Sequence, residues 1–336
     1  MNAPPLLALH GIHKHFGPRP DWLESLGIRL GWLPPPARVH ALDGIDVDLA
    51  AGEVLGLVGE SGSGKSTLGR VAAGLLSPDR GTRLWHGKEI EATPIAANGI
   101  QMVFQDPSAS LNPRMRVAEL IAEAPRTHGL VTRSEQADYV AELLRQVGLD
   151  PGAASRFPHQ FSGGQRARIG IARALAVKPE LLICDEPVAA LDVSVQAQVL
   201  NLFGELRSRL GLTYLFISHD LGVVRHLCER VAILYLGRIV ESAPADVLFT
   251  APAHPYTQAL IADAPTLKAE KKRFVAIRGE LPSPLSPPSG CHFHPRCPHA
   301  FGRCREERPV LREIAPGHRA ACHLHDGPFA PSLLPP

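Results

Sequence analysis

Three features are missing from this chain, and each absence removes a class of protein. No uninterrupted apolar run approaches the roughly 18 to 20 residues that a membrane-spanning helix needs. Even Val231-Ala232-Ile233-Leu234-Tyr235-Leu236 stops at Gly237-Arg238. Any membrane in this protein's work is therefore expected to be crossed by a partner. Also missing is a basic segment followed by an apolar one at Met1-Asn2-Ala3-Pro4-Pro5, so nothing marks the chain for secretion and it is expected to stay inside the cell. Finally, there is almost no excess of charge: 35 Lys and Arg against 33 Asp and Glu give a formal net charge of +2. Such a balance creates no field that would draw a polyanion such as nucleic acid. Any phosphate binding must be local.

What is present fits one large domain with an appendage, as 336 residues allow. Leu6 to Phe16 alternates apolar and polar residues as a half-buried strand does, and Val47 to Leu49 and Val54 to Val58 read as two more. Further strands are expected at Ile100 to Phe104, Leu181 to Cys184, Tyr214 to Ser218 and Val231 to Tyr235. These last runs are apolar without alternation, the pattern of strands covered on both faces by helices, which points to the α/β class. Gly17 to Arg38 is a Pro- and Gly-marked insertion in which Trp22, Leu23, Leu26, Leu30 and Leu33 recur on one face of a short helix. That face is expected to pack on the domain's own flank. From 106 to 160 helical periodicity takes over, notably Glu135 to Val147, and a helical subdomain is expected there. The large α/β domain is thus placed at 6–242 and a second module at 243–336, where prolines multiply.

Gly59-Glu60-Ser61-Gly62-Ser63-Gly64-Lys65-Ser66-Thr67 lies between a predicted strand and a predicted helix, the context that a phosphate-binding loop requires. Glycines let consecutive N–H groups turn onto phosphate oxygens, and the helix start adds its positive dipole end. Lys65 is expected to reach the β- and γ-phosphates and Ser66 to offer its hydroxyl to Mg²⁺. Leu181-Leu182-Ile183-Cys184-Asp185-Glu186 ends a buried strand in two carboxylates. Asp185 is placed to orient the magnesium shell and Glu186 to polarise an attacking water. In Phe161-Ser162-Gly163-Gly164-Gln165, Ser162 can cap the following helix while the glycines bare its first N–H groups, a second anion site.

This ordered set resembles the ABC ATPases, P-loop NTPases of α/β fold with an inserted helical subdomain, whose signature has a leucine where this chain has Phe161. The resemblance implies roles for further positions. Gln105, after Val103-Phe104, matches the glutamine loop that contacts Mg²⁺ and water. Ala190-Leu191-Asp192 matches the loop that communicates across the dimer, and His219 in Ile217-Ser218-His219-Asp220 matches the switch histidine on the γ-phosphate. Phe16 is the expected stacking partner of adenine, with Val39 or His40 as alternatives. The family sandwiches two ATP molecules between two cassettes, each held by the phosphate loop of one and the Ser-Gly-Gly of the other.

His254-Pro255-Tyr256-Thr257-Gln258-Ala259-Leu260, Gly279-Glu280-Leu281-Pro282-Ser283-Pro284 and Pro287-Pro288-Ser289-Gly290-Cys291 resemble the tail of ATPases in the oligopeptide and dipeptide importer group, which also handles nickel and other small solutes. Glu186 to Gln198 looks more like the second, F-type, of that group's two paralogous ATPases. The resemblance implies a paralogous ATPase partner, two transmembrane permease subunits, an extracytoplasmic solute-binding protein, and a place on the cytoplasmic face of the membrane. A soluble ABC ATPase acting on nucleic acid or the ribosome is the competing reading, but the long coiled coils or duplicated cassettes of those proteins are not in this sequence.

Of six cysteines, Cys184 and Cys228 sit singly in apolar or helical surroundings and are expected in the core. The others are spaced Cys291-x5-Cys297-x6-Cys304-x17-Cys322. Four thiolates suit a [4Fe–4S] cluster or tetrahedral zinc, and the importer-group resemblance favours the cluster. His294, His299, His318 and His323 keep zinc open, and four reduced thiols that bind no metal are the remaining alternative.

Overall fold

The computed structural model describes residues 4–18, 21–33, 36–90, 99–106, 110–263 and 279–326. Parts of the expected segments therefore lie outside the described residues: 19–20 and 34–35 of the insertion, 107–109 of the helical subdomain, and 264–278 and 327–336 of the C-terminal module.

The strands are β1 (Leu7–Phe16), β2 (Val39–Leu49), β3 (Val54–Val58), β4 (Arg80–Trp85), β5 (Lys88–Glu89), β6 (Ile100–Val103), β7 (Leu181–Asp185), β8 (Thr213–Ile217), β9 (Arg230–Tyr235), β10 (Arg238–Pro244), β11 (Arg312–Ala315) and β12 (His318–Ala320). An eight-stranded sheet in the order β11-β12-β10-β9-β3-β8-β7-β6 forms the body. Its stretch from β9 to β6 is parallel, and every residue of β3, β7 and β8 is buried. Side chains alternate across that sheet into two cores. Val54, Leu182, Cys184, Tyr214, Phe216 and Ile233 point to one, while Leu55, Ile183, Leu215, Ile217 and Leu234 point to the other. The apolar runs lack alternation because both faces are covered. Cys184 and Cys228 lie in the first core, as their surroundings indicated.

The first core is closed by helices Val117–Thr127, Gln136–Gln146, Gly163–Leu175 and Val193–Leu210. The second is closed by helix Lys65–Ala72 and by an antiparallel sheet, β2-β1-β4-β5. Strand β4 carried no strong sequence signal, since its burial is mixed.

The insertion corrects one expectation. Helix Trp22–Arg29 is held at its start by a reciprocal pair, Asp21 accepting from the Glu24 N–H at 2.7 Å and Glu24 accepting from the Asp21 N–H at 3.1 Å. Yet Trp22 is 75% exposed and Leu23, Leu26, Leu30 and Leu33 are each about half exposed, so the apolar face does not pack on the domain's flank. The helix lies in the connection between β1 and β2, beyond the end of the pair where Phe16 meets Val39.

At the other end, β10 continues past position 243 and pairs with β12, so the C-terminal segment extends the main sheet. Glu241 on β10 is fully buried and accepts from the Ala253 and His254 N–H groups at 2.8 Å and from His318 Nε2 at 2.7 Å. Burial works to raise this carboxyl, but His318 and the surrounding donors outweigh it and hold its pKa below the ordinary value. His254 is buried, and its Nδ1 accepts the Tyr256 N–H at 3.0 Å. Burial pushes its pKa down to about 4, against the opposing charge of Glu241. A buried neutral histidine stabilises fully above the unfolded value near 6.5, and its contribution is lost as pH falls toward 4. The chain should thus lose on the order of 2–3 kcal/mol between pH 7 and pH 4.5 from this group. Denaturant titrations at both pH values check this. His254→Asn, whose Oδ1 can still accept the Tyr256 N–H, should abolish most of the difference.

Candidate active site

The phosphate loop leaves β3 at Val58 and enters helix Lys65–Ala72 with Gly62 at φ 80° and Gly64 at φ 107°, both left-handed. Glycine is also demanded by space: a Cβ on Gly59 would lie 2.2 Å from the Leu234 carbonyl oxygen, and one on Gly64 would lie 2.4 Å from that of Ala41. Ser63 is buried inside the turn and its carbonyl accepts the Gly237 N–H at 2.8 Å. Ser61, Gly62, Gly64, Lys65, Ser66 and Thr67 line a cleft of about 580 Å³, and Gln105, Glu186 and His219 line its other side.

Four expected catalytic side chains converge here. Glu186 Oε2 accepts from Gln105 Nε2 at 3.1 Å and lies 3.1 Å from His219 Nδ1. Its Oε1 is 4.0 Å from Lys65 Nζ. The Glu186 backbone is turned to φ 46°, a costly conformation for a residue with a Cβ, and its N–H donates to the Ile217 carbonyl at 3.0 Å. Strain of this kind persists where the surroundings fix it, here by seating the residue between β7 and β8. Lys65 donates to the carbonyls of Gly59 at 2.7 Å and Glu60 at 3.0 Å. Burial lowers its pKa, with Glu186, Asp185 and Glu60 opposing.

Asp185 ends β7 and accepts the Ser66 hydroxyl at 2.9 Å. Burial raises its pKa, the Ser66 hydroxyl opposes, and neighbouring Glu186 adds to the rise. A buried carboxylate beside a serine hydroxyl is a hard-oxygen donor set that fits Mg²⁺. With Gln105 at the rim, these are the residues that would hold the ion, whose charge would draw phosphate oxygens toward Lys65.

For the base, Phe16 and Val39 both line the cleft, whereas His40 faces a neighbouring cavity with His13, His15 and His292. Two residues outside the motifs join the lining: Ala41 and Pro284, the latter accepting the His40 N–H at 2.9 Å. Pro284 lies in the tail and carried no chemical signal of its own. Glu60 was equally silent, because the motif leaves that position free.

Ser162 caps helix Gly163–Leu175 as expected, accepting the Gln165 N–H at 3.3 Å while Gln165 Oε1 accepts the Ser162 N–H at 3.0 Å. Ser162, Gly163 and Gln165 are exposed, and none of residues 162–165 lines the phosphate-loop cleft. Gly164 is confined by packing, since a Cβ there would lie 2.3 Å from Val195 Cγ1 in the next helix.

Cys304 and Cys322 are buried, and Cys291 and Cys297 are half-buried. The Cys291 N–H donates to the Cys304 carbonyl at 2.9 Å. Burial pushes the Cys297 thiol up to about 11 and the Cys322 thiol up to about 12, and the charges of the neighbouring cysteines add to both. Among the described residues, no three His, Cys, Asp or Glu side chains close around a single ion.

A family model described as ABC transporter matches residues 42–189, and one described as oligopeptide/dipeptide transporter, C-terminal region, matches 240–304. The chain is 51% identical to the oligopeptide transport ATP-binding protein AppF of Bacillus subtilis, over 96% of this chain and 98% of that one. It is 46% identical to a putative peptide import ATP-binding protein of Brucella ovis, over 96% and 98%. Among solved structures, cbiO1 from Clostridium perfringens, part of an ABC transporter complex, superposes with a TM-score of 0.60 at 26% identity, covering 74% of this chain and 92% of that one. A dimeric, post-hydrolysis state of the ATP-binding cassette MJ0796 with ADP and Pi superposes equally well, covering 71% and 98%. With the phosphate loop, the paired carboxylates and the capped Ser-Gly-Gly helix all in place, the chain belongs to the ATP-hydrolysing subunits of the ABC transporter family, in the group carrying the oligopeptide/dipeptide C-terminal region.

Proposed function

We propose that this subunit powers uptake of di- or oligopeptides across a cytoplasmic membrane, bound to its inner face through two permease subunits. The supporting observation is the union, in one chain, of a complete ATPase cleft with the C-terminal region of the peptide-transporter group. No helix among the described residues is long and apolar enough to cross a membrane, so the path for the solute belongs to the partners. The companion in the ATP sandwich is a paralogous ATPase: the phosphate loop of each faces the exposed Ser162-to-Gln165 helix start, or its equivalent, on the other. Glu186 takes the proton of the attacking water as its oxygen bonds to the γ-phosphorus and the bond to the departing ADP breaks, Lys65 and His219 hold the γ-phosphate, and Ser66, Gln105 and Asp185 would hold Mg²⁺. Reconstitution of the complex in liposomes with internal MgATP tests the solute. ATP-dependent accumulation of a labelled peptide is expected; uptake of nickel or another solute in its place would overturn the peptide assignment.

Cys291, Cys297, Cys304 and Cys322 hold a metal centre in this reading. What supports a shared centre is that the four thiols lie within electrostatic reach of one another. A cluster carries its irons between widely set thiolates and would cross-link a segment that has little helix or strand. Cys297→Ser should strip at least half of the bound iron, read by elemental analysis and visible absorption of anaerobically purified protein. Unchanged metal content would defeat the ligand set.

A further inference from the structure

We propose that Arg296 is a positioning residue for ATP binding, through which the cysteine-bearing C-terminal segment sets the shape and charge of the phosphate loop; this rests on the ATPase reading of the cleft. Glu60 is the second residue of that loop, and three of its groups are committed. Its carbonyl accepts from Lys65 Nζ at 3.0 Å. Its N–H donates to the Tyr256 hydroxyl at 2.9 Å. Its carboxylate is gripped by both ends of the Arg296 guanidinium, Nη1 to Oε2 at 2.9 Å and Nη2 to Oε1 at 3.1 Å. Tyr256 and Arg296 both come from the C-terminal segment, 196 and 236 residues away.

The pair is not a loose surface contact. The Arg296 side chain is only 7% exposed, and its guanidinium lies 5.9 Å from the centre of the Tyr235 ring. Tyr235, Tyr256 and Phe293 form a packed aromatic knot, with ring centres 4.6 to 5.4 Å apart. That knot fixes the loop from Cys291 to Cys297 in which Arg296 sits. A bidentate guanidinium in such a setting holds a carboxylate's direction as well as its charge.

Without Arg296, Glu60 would leave an uncompensated negative charge within electrostatic reach of Lys65, in a site built for a polyanionic phosphate chain. The state of the cysteine segment is thereby read at the nucleotide, and by reciprocity nucleotide binding steadies the segment.

The test is a mutant cycle on the full chain, with MgATP affinity measured by equilibrium titration and melting temperature as the folding control. Arg296→Gln should weaken MgATP binding about 10-fold, because a half-buried partner charge is left unpaired. Glu60→Gln alone should change it by less than about 3-fold, and the double variant should recover most of the loss, since the repelling charge is gone. Tyr256→Phe, a milder change, should weaken binding while the fold is kept. In the wild type, MgATP should slow amide exchange across 291–304, and Arg296→Gln should erase that effect. Wild-type affinity in Arg296→Gln, additive losses in the double variant, or exchange at 291–304 indifferent to MgATP would each overturn the inference. A wild-type chain that binds no ATP would instead sink the ATPase reading itself.

Discussion

Replacing Glu186 with Gln should lower ATP turnover by about 10²- to 10⁴-fold, the usual loss when a positioned general base is removed. The substitution keeps shape. A glutamine oxygen can still accept from Gln105 Nε2, and the strained backbone at φ 46° stays seated by the Ile217 carbonyl. What is lost is basicity toward the attacking water. ATP affinity should hold or tighten, since the change deletes a negative charge 4.0 Å from Lys65 Nζ. Phosphate release measured beside equilibrium ATP binding separates the two effects. Release at the wild-type rate would refute Glu186 as the base.

Blocking the open helix start with Ser162→Phe should leave the isolated chain's MgATP affinity unchanged and reduce turnover of the assembled pair by at least about 10²-fold. The asymmetry follows from placement: Ser162, Gly163 and Gln165 face solvent, and none of residues 162–165 lines the chain's own phosphate cleft. A helix N-terminus with two glycines is an anion site only for something that approaches from outside, and donors aimed at developing phosphate charge carry factors of this size. Losing the cap costs only about 1 kcal/mol, too little to unfold the helix. If the isolated variant binds ATP more weakly, or if turnover persists, the cross-subunit role of this segment fails.

Much of the site was legible because its parts are local. Gly59 to Thr67 encodes a strand, a turn and a helix within a few residues, and the turn's geometry allows only glycine at Gly62 and Gly64. Asp185 and Glu186 follow from a buried strand that ends, whereas Gln105 and His219 were reached only through the family resemblance. Parallel strands deliver their C-terminal ends to one edge, so motifs at four strand ends meet in one cleft. The choice among Phe16, Val39 and His40 was not legible. It depends on the bulged register of β1 against β2, which points His40 into the next cavity.

The sequence by itself determined the α/β class, the phosphate loop, the paired acids and the capped signature helix, because each is a short-range pattern of period, glycine and cap. Only the tertiary structure decided that the insertion's apolar face stays exposed, that the C-terminal segment extends the main sheet, and that Arg296 and Tyr256 reach back to Glu60. Those contacts join residues far apart in the chain, and no local periodicity records which distant side chain a sheet edge will bring to a carboxylate.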